Sequence, residues 1–386
     1  MGFKLASGST PGYDRFLLLV TVFLLIISVV LISSASVMEA TLRYGNSSYL
    51  MVKQLEAIIA ALLAATVAAA VPSAVWKAGS VYLMLVVLVL LIVVLIVGRE
   101  INEAKRWISL GVFNLQPAEL LKLFWILYFS SYVSRKGREV RHTVKGFLKP
   151  MGFIAAMALL LLLQPDFGSL VVVTAITFAI LWVGGSRLIF YILTLAVTCV
   201  MGAILVITQP YRMRRVLSFL DPWEDQFGSG YQLTQSLMAF GRGGLSGEGL
   251  GNSLQKLGYL PEAHTDFITS ILGEEFGFIG MCVVIALEFI IVCKAVRLGI
   301  RILRQEPVFE GYAAFGIGVW FCLQTFINIG AASGALPTKG LTLPLVSYGG
   351  SSMLVSCVAV AVLLRLDYEQ RQKHALWGGI KDGAGR

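Results

Sequence analysis

Ten apolar runs, most of them 18 residues or more, decide which solvent this chain can fold in. They lie near 17–38, 50–71, 78–98, 117–133, 147–164, 169–184, 187–208, 267–293, 311–332 and 350–366. A helix needs about 20 such residues to cross the hydrocarbon layer, so each run reads as a span. The fifth and sixth are short and are separated by Gln164-Pro165-Asp166-Phe167-Gly168, a break that belongs at a cavity or a surface rather than in lipid. Of the 386 residues, 57% are hydrophobic and only 14% are charged, more grease than a soluble core of this size needs.

Ten crossings put both ends on one side, and the basic residues say which. With the N-terminus inside, the inner segments hold 19 Lys and Arg and the short outer segments six. The inner set includes the run from Arg135 to Lys149 and the group Lys294, Arg297, Arg301 and Arg304. The expected fold class is therefore all-α: a polytopic membrane protein with ten transmembrane helices, N-in/C-in, and one large extracytoplasmic loop between helices 7 and 8. A single transmembrane domain fills 1–386, with cytoplasmic tails at 1–16 and 367–386 and the large loop at 209–266. The first run is too long for a cleaved signal peptide and reads as a retained anchor.

The net charge of +9 is an orientation signal and an attraction to anionic membrane lipid, not a nucleic-acid footprint. The five cysteines lie in apolar runs with no CxxC pair, which argues against disulfides and a thiolate metal site. His142, His264 and His374 are scattered and support no zinc site.

The unusual chemistry gathers in three connections on one face: 99–116, 209–266 and 333–349. The longest ends Pro261-Glu262-Ala263-His264-Thr265-Asp266 and re-enters the membrane at once. A carboxylate at that depth is partly desolvated, which raises its pKa and suits a general base. Thr265 or Asp266 can equally cap the following helix. Glu119 and Lys122 are three apart on one span, so they can pair, and ionisable residues inside a membrane usually face a functional interior. Lys105, Arg106, Lys339, Arg212, Arg214, Arg215 and Arg242 are outer cations suited either to phosphate or to plain solvation. Glu274 and Glu275 follow two turns after Asp266, one placed for a cavity and the other for a neighbouring helix. The glycine cluster from Gly241 to Gly251 has no Gly-Lys-Ser/Thr and no preceding strand, so it is read as a flexible outer loop close to the bilayer and not as a nucleotide loop.

Four segments in this order resemble the SEDS family (shape, elongation, division and sporulation) along nearly the whole chain. They are Arg106-Trp107-Ile108 with Gln116-Pro117-Ala118-Glu119 and Lys122; Gln164 to Gly168; Pro261 to Ile268; and Leu336-Pro337-Thr338-Lys339-Gly340 running to Tyr348-Gly349-Gly350-Ser351-Ser352. The third and fourth look closer to the cell-division branch than to the elongation branch. The resemblance implies a glycosyltransferase of the bacterial inner membrane, at the septum, that polymerises lipid II. It implies Asp266 as the catalytic residue. Substrate contacts fall on Arg106, Glu119, Lys122, Lys339, Arg242, Ser347 and Tyr348, with support from Gln116, Pro117, Gln164, Asp166 and Glu274. It implies a class B penicillin-binding protein and other division proteins as partners, beside lipid II and membrane lipids and without nucleic acid. It allows, without requiring, a divalent cation (Mg2+ or Mn2+) at the pyrophosphate. Two other readings of the same residues are a lipid II flippase and a non-catalytic division scaffold. The clustering on one face speaks against the flippase, which needs access from both sides.

Overall fold

The computed structural model describes residues 12–101, 104–109, 111, 114–208, 213, 219–306, 308–337 and 340–383. The chain is mostly helical. Its helices are α1 (Arg15–Ala35), α2 (Val37–Tyr44), α3 (Tyr49–Ala70), α4 (Ser73–Val97), α5 (Pro117–His142), α6 (Val144–Leu163), α7 (Phe167–Val183), α8 (Leu188–Ile207), α9 (Tyr231–Gly243), α10 (Ile268–Gln305), α11 (Phe309–Ala332) and α12 (Gly350–Gly383). Among the described residues, seven helices (α1, α3, α4, α6, α10, α11 and α12) are long and apolar enough to cross a membrane. α7 is apolar but shorter, as is the apolar stretch Leu188–Ile204 of α8. α12 continues to Gly383 without a break at 367.

The all-α expectation needs one correction. Between α4 and α5 the chain forms a three-stranded antiparallel sheet in the order β1 (Arg99–Ile101), β2 (Ala104–Ser109) and β3 (Asn114–Leu115). Ile108 pairs with Leu115, and Ser351 Oγ at the start of α12 donates to Asn114 O at 2.9 Å. The backbone of this connection lies at the helix ends, where no i−4 carbonyl is available. Strand pairing satisfies its polar groups instead.

The core runs along α5, α7 and α11. Trp125, Phe129, Phe309, Tyr312, Trp320 and Phe321 are all sealed from solvent there. Trp125 Nε1 donates to Thr177 Oγ1 at 2.7 Å, which satisfies a polar atom that apolar packing alone would strand. Large apolar side chains on the outer helices point away from the protein: Leu63 is 66% exposed, Ile96 74% and Leu193 61%. None of the described residues of α8 is buried. A helix apolar all round and uncovered by protein is stable only in lipid.

α1 and α10 run antiparallel. Ser34 Oγ donates to Glu275 Oε1 at 2.6 Å at one end, and the Lys294 ammonium pairs with the Asp14 carboxylate at the other. α10 is broken at Gly277, whose φ is +67°. The break frees backbone groups that the chain from 244 to 249 takes up. Glu248 N donates to Glu274 O (3.0 Å), Gly249 N to Glu275 O (3.0 Å), Phe278 N to Gly244 O (2.9 Å) and Ile279 N to Leu245 O (3.1 Å). The glycine cluster is therefore not a free loop, as the sequence suggested. It is laced to a helix, and glycine lets two backbones approach that closely.

Gly277→Ala tests this lacing. An added Cβ meets Leu245 O at 2.5 Å in a backbone region that favours glycine. The expected cost is more than about 1 kcal/mol. It would be read as a lower thermal midpoint in detergent and as faster proteolysis between 244 and 257.

Candidate functional site

Asp266 stands one residue before the α10 N-cap, which is Phe267 and carries no side-chain capping bond. Thr265 Oγ1 instead donates to Glu262 Oε2 at 2.8 Å. Neither residue caps the helix, so the Asp266 carboxylate is free for other work. It is crowded by protein yet keeps some accessible surface. Among the described residues no side chain hydrogen-bonds to it. Its Oδ2 packs against Gly340, where a Cβ would come within 2.8 Å. Burial pushes the group up to about 7, Glu262 adds to the rise, and Arg106 pulls the other way. An aspartate in water titrates near 3.9, so this one changes charge in the working range of a cell.

Arg106 comes from strand β2. Its Nε donates to Gln164 O at 3.1 Å and its Nη2 to Pro165 O at 2.6 Å. The turn between α6 and α7 is fixed in turn by Asp166, which caps α7 through Ser169 N (3.0 Å) and Ser169 Oγ (2.7 Å). Gln164 Nε2 reaches back to Leu91 O at 3.0 Å. The guanidinium so fixed acts on Asp266 electrostatically, and among the described residues its Nη1 has no hydrogen-bond partner.

Glu119 and Lys122 do pair, at 2.7 Å, but under cover: Lys122 is 0% exposed and Glu119 3%. Lys122 Nζ also donates to Gln324 Oε1 at 2.8 Å, and Gln324 Nε2 donates to Thr342 O at 2.8 Å. Trp320 Nε1 adds a bond to Gln324 Oε1 at 2.6 Å. In this structure the pair holds the segment that leads from Gly340 to α12 and presents no open face. Pro117 opens α5, where its missing N–H costs nothing, and Gln116 N is held by Ser351 Oγ at 2.9 Å.

The other expected site residues divide. Arg242 is committed to Glu274, 3.2 Å away. Glu274 also accepts from Leu254 N (3.0 Å), Gln255 N (3.3 Å) and Ser253 Oγ. It is an anchor for the docked loop, and Glu275 anchors Lys256 at 2.8 Å beside it. Both glutamates are therefore taken by the loop. Ser347 is buried and accepts from Leu343 N at 2.8 Å, closing a turn. Tyr348 N donates to His264 O at 3.0 Å, and burial pushes its phenol up to about 12, so it stays a neutral hydroxyl. The His264 ring lies 3.0 Å from Glu39 and holds that carboxyl below its usual range. Lys339 lies outside the described residues, as do Arg212, Arg214 and Arg215.

The sequence reading missed Asn328 on α11. Its Nδ2 donates to Asp266 O at 2.9 Å and to Leu341 O at 2.6 Å. One amide group pins both segments that flank the carboxylate. The available signal was Gln324 and Asn328, four apart and both buried in an otherwise apolar helix.

A family model for cell cycle proteins, that of FtsW, RodA and SpoVE, matches residues 15–372. The chain belongs to the FtsW/RodA/SpoVE family. A relative from Tolumonas auensis, a probable peptidoglycan glycosyltransferase FtsW, is 50% identical over 93% of both chains. Its namesake from Escherichia coli O6:H1 is 47% identical over 94% of this chain and 88% of its own. Among solved structures, a chain of a peptidoglycan synthase complex that coordinates polymerization and crosslinking superposes with a TM-score of 0.77. It is 27% identical and covers 93% of this chain and 98% of its own. The rod shape determining protein RodA of Thermus thermophilus gives 0.68 at 26% identity, over 93% and 97%.

A protein-only cage for a divalent cation is not formed by the described residues. Glu262 and Asp166 act on Asp266 electrostatically, but among the described residues no three His, Cys, Asp or Glu side chains converge on one point.

Asn328→Ala strips the donor from the buried Leu341 carbonyl, at about 1–3 kcal/mol, and from the half-buried Asp266 carbonyl. The expected outcome is a lower thermal midpoint, with hydrogen exchange rising first at residues 340–348.

Proposed function

We propose that this chain is the glycosyltransferase that polymerises lipid II on the outer face of the bacterial inner membrane during division. The observation that carries this reading is Asp266: a desolvated carboxylate with no hydrogen-bond partner among the described residues, with Arg106 near it, in a chain half identical to probable peptidoglycan glycosyltransferases. The seven long apolar helices and the helices α5, α7 and α8 fall on the ten runs read from sequence, which supports ten crossings with both termini inside.

The step is a single displacement. The 4-hydroxyl of one lipid-linked sugar attacks C1 of another, the C1–O bond to the polyprenyl pyrophosphate breaks, and the hydroxyl proton passes to the Asp266 carboxylate. A sugar hydroxyl is too weak a nucleophile unless a base takes its proton as the bond forms. Negative charge develops on the departing pyrophosphate, and Arg106, the described arginine that acts on Asp266, is the cation assigned to meet it. One displacement inverts the anomeric carbon. Glu119 and Lys122 serve this step from beneath, by holding the Thr342 segment that carries Gly340 past Asp266. Both polyprenyl tails stay in the bilayer, so the two substrates meet in two dimensions. A class B penicillin-binding protein is the partner that would cross-link the strands, and the synthase complex that superposes on this chain supports one.

Purified chain with its partner should lengthen lipid II into glycan, and Asp266→Ala should reduce the rate at least about 100-fold with the thermal midpoint retained. Full activity in that variant removes the proposed base. The wild-type pH profile carries the same signature. Asp266 must be ionised to accept a proton and titrates near 7, so kcat/KM falls as pH drops below about 7.

A further inference from the structure

At the end of the bundle away from Asp266, α1, α10 and α12 enclose a cavity of about 230 Å3. α10 starts beside Asp266 and rises about 1.5 Å per residue, so Lys294 lies roughly one bilayer thickness away. Four cations line the cavity, Lys294, Arg297, Arg301 and Arg371, against two carboxylates, Asp14 and Asp367. Lys294 is paired with Asp14, and Arg371 with Asp367 at 2.6 Å and Asp14 at 3.6 Å. Among the described residues Arg297 and Arg301 have no ion-pair partner, and both are exposed. They stand four apart on α10 and therefore share a face. The excess charge at this mouth is positive and uncompensated.

The remaining wall is aliphatic, from Leu17, Leu298 and Leu363. The Lys294 ammonium lies 4.9 Å from the Phe16 ring. From Phe16 an uncovered apolar stripe climbs α1 through Leu19, Phe23 and Ile26, which are 67%, 49% and 53% exposed. The spacing of three, four and three puts these side chains on one face. A cationic pocket whose Lys294 also lies against Phe16, the first ring of an apolar stripe, matches a molecule with a phosphate head and acyl chains. It does not match a soluble anion, which gains nothing from the stripe.

We propose that this cavity holds the phosphate of an anionic phospholipid of the inner leaflet, with Arg297 and Arg301 as the cations that select it. Its chains lie along Phe16, Leu19, Phe23 and Ile26. The site is separate from the catalytic face and stands whether or not Asp266 is the base. Arginine suits it because the fork takes two phosphate oxygens at once.

Native mass spectrometry of the full chain in detergent, titrated with phosphatidylglycerol or with phosphatidylcholine of the same chains, tests the assignment. Wild type should bind phosphatidylglycerol in preference. Arg297→Ala with Arg301→Ala should weaken phosphatidylglycerol roughly 30-fold, at about 1 kcal/mol for each cation, and leave phosphatidylcholine unchanged. Unchanged phosphatidylcholine binding also reports that the variant is folded. Arg297→Lys with Arg301→Lys should keep most of the preference. Equal binding of the two lipids by wild type overturns the proposal, as does a preference that survives the double alanine variant. Displacement of phosphatidylglycerol by excess inorganic phosphate as efficiently as by the lipid itself marks a soluble-anion site and also overturns it.

Discussion

The bond on which the site depends is the bidentate reach of one amide. Asn328 donates to Asp266 O and to Leu341 O, so the segment entering α10 and the segment leading to α12 are held at a fixed separation. Inside that separation the Asp266 carboxylate fits against Gly340 and nothing larger. The amide is buried in α11, one of the helices that form the core. A rigid core therefore sets the position of a group at the mouth of α10. Reactive groups must be held to within a fraction of an ångström by their supporting residues, and a core helix does this better than a loop does.

The same logic explains the buried ion pair. Lys122 is sealed, and its charge is tolerable because Glu119 and the Gln324 amide oxygen accept from it. Removing one partner alone leaves an uncompensated charge, at about 3–5 kcal/mol. Gln324 passes this restraint to Thr342, so two polar residues on one face of α11 control the whole stretch opposite Asp266. On the other side the break at Gly277 lets the glycine-rich chain dock through backbone bonds, while Arg242 and Lys256 are spent on Glu274 and Glu275. The end of the bundle that carries Asp266 is thus a set of loops tied down onto helices.

Much of this was legible in the residues. The apolar runs located the helices, and the switch from polar to apolar residues after Asp266 marked the start of α10. The spacing of Glu119 and Lys122 anticipated their pairing, though not that the pair would be covered. Asn328 was invisible for a physical reason: a lone amide in an apolar run says that it must be satisfied, not by what. The docked loop was invisible because backbone-to-backbone bonds leave no mark except glycine, which reads as flexibility. The short sheet around Arg106 was missed because strand pairing over so few residues has no periodicity to find. Arg106 itself was recognised as a cation, but its hold on the Gln164 and Pro165 carbonyls is a tertiary fact.

The account rests on Asp266 being a carboxylate whose proton comes and goes near neutral pH because protein, not water, surrounds it. Infrared difference spectra of wild type minus Asp266→Asn, recorded across pH, report the carboxyl band of this group directly. The account predicts a protonation midpoint near 7. A midpoint near 4, the value of an ordinary aspartate in water, would contradict it.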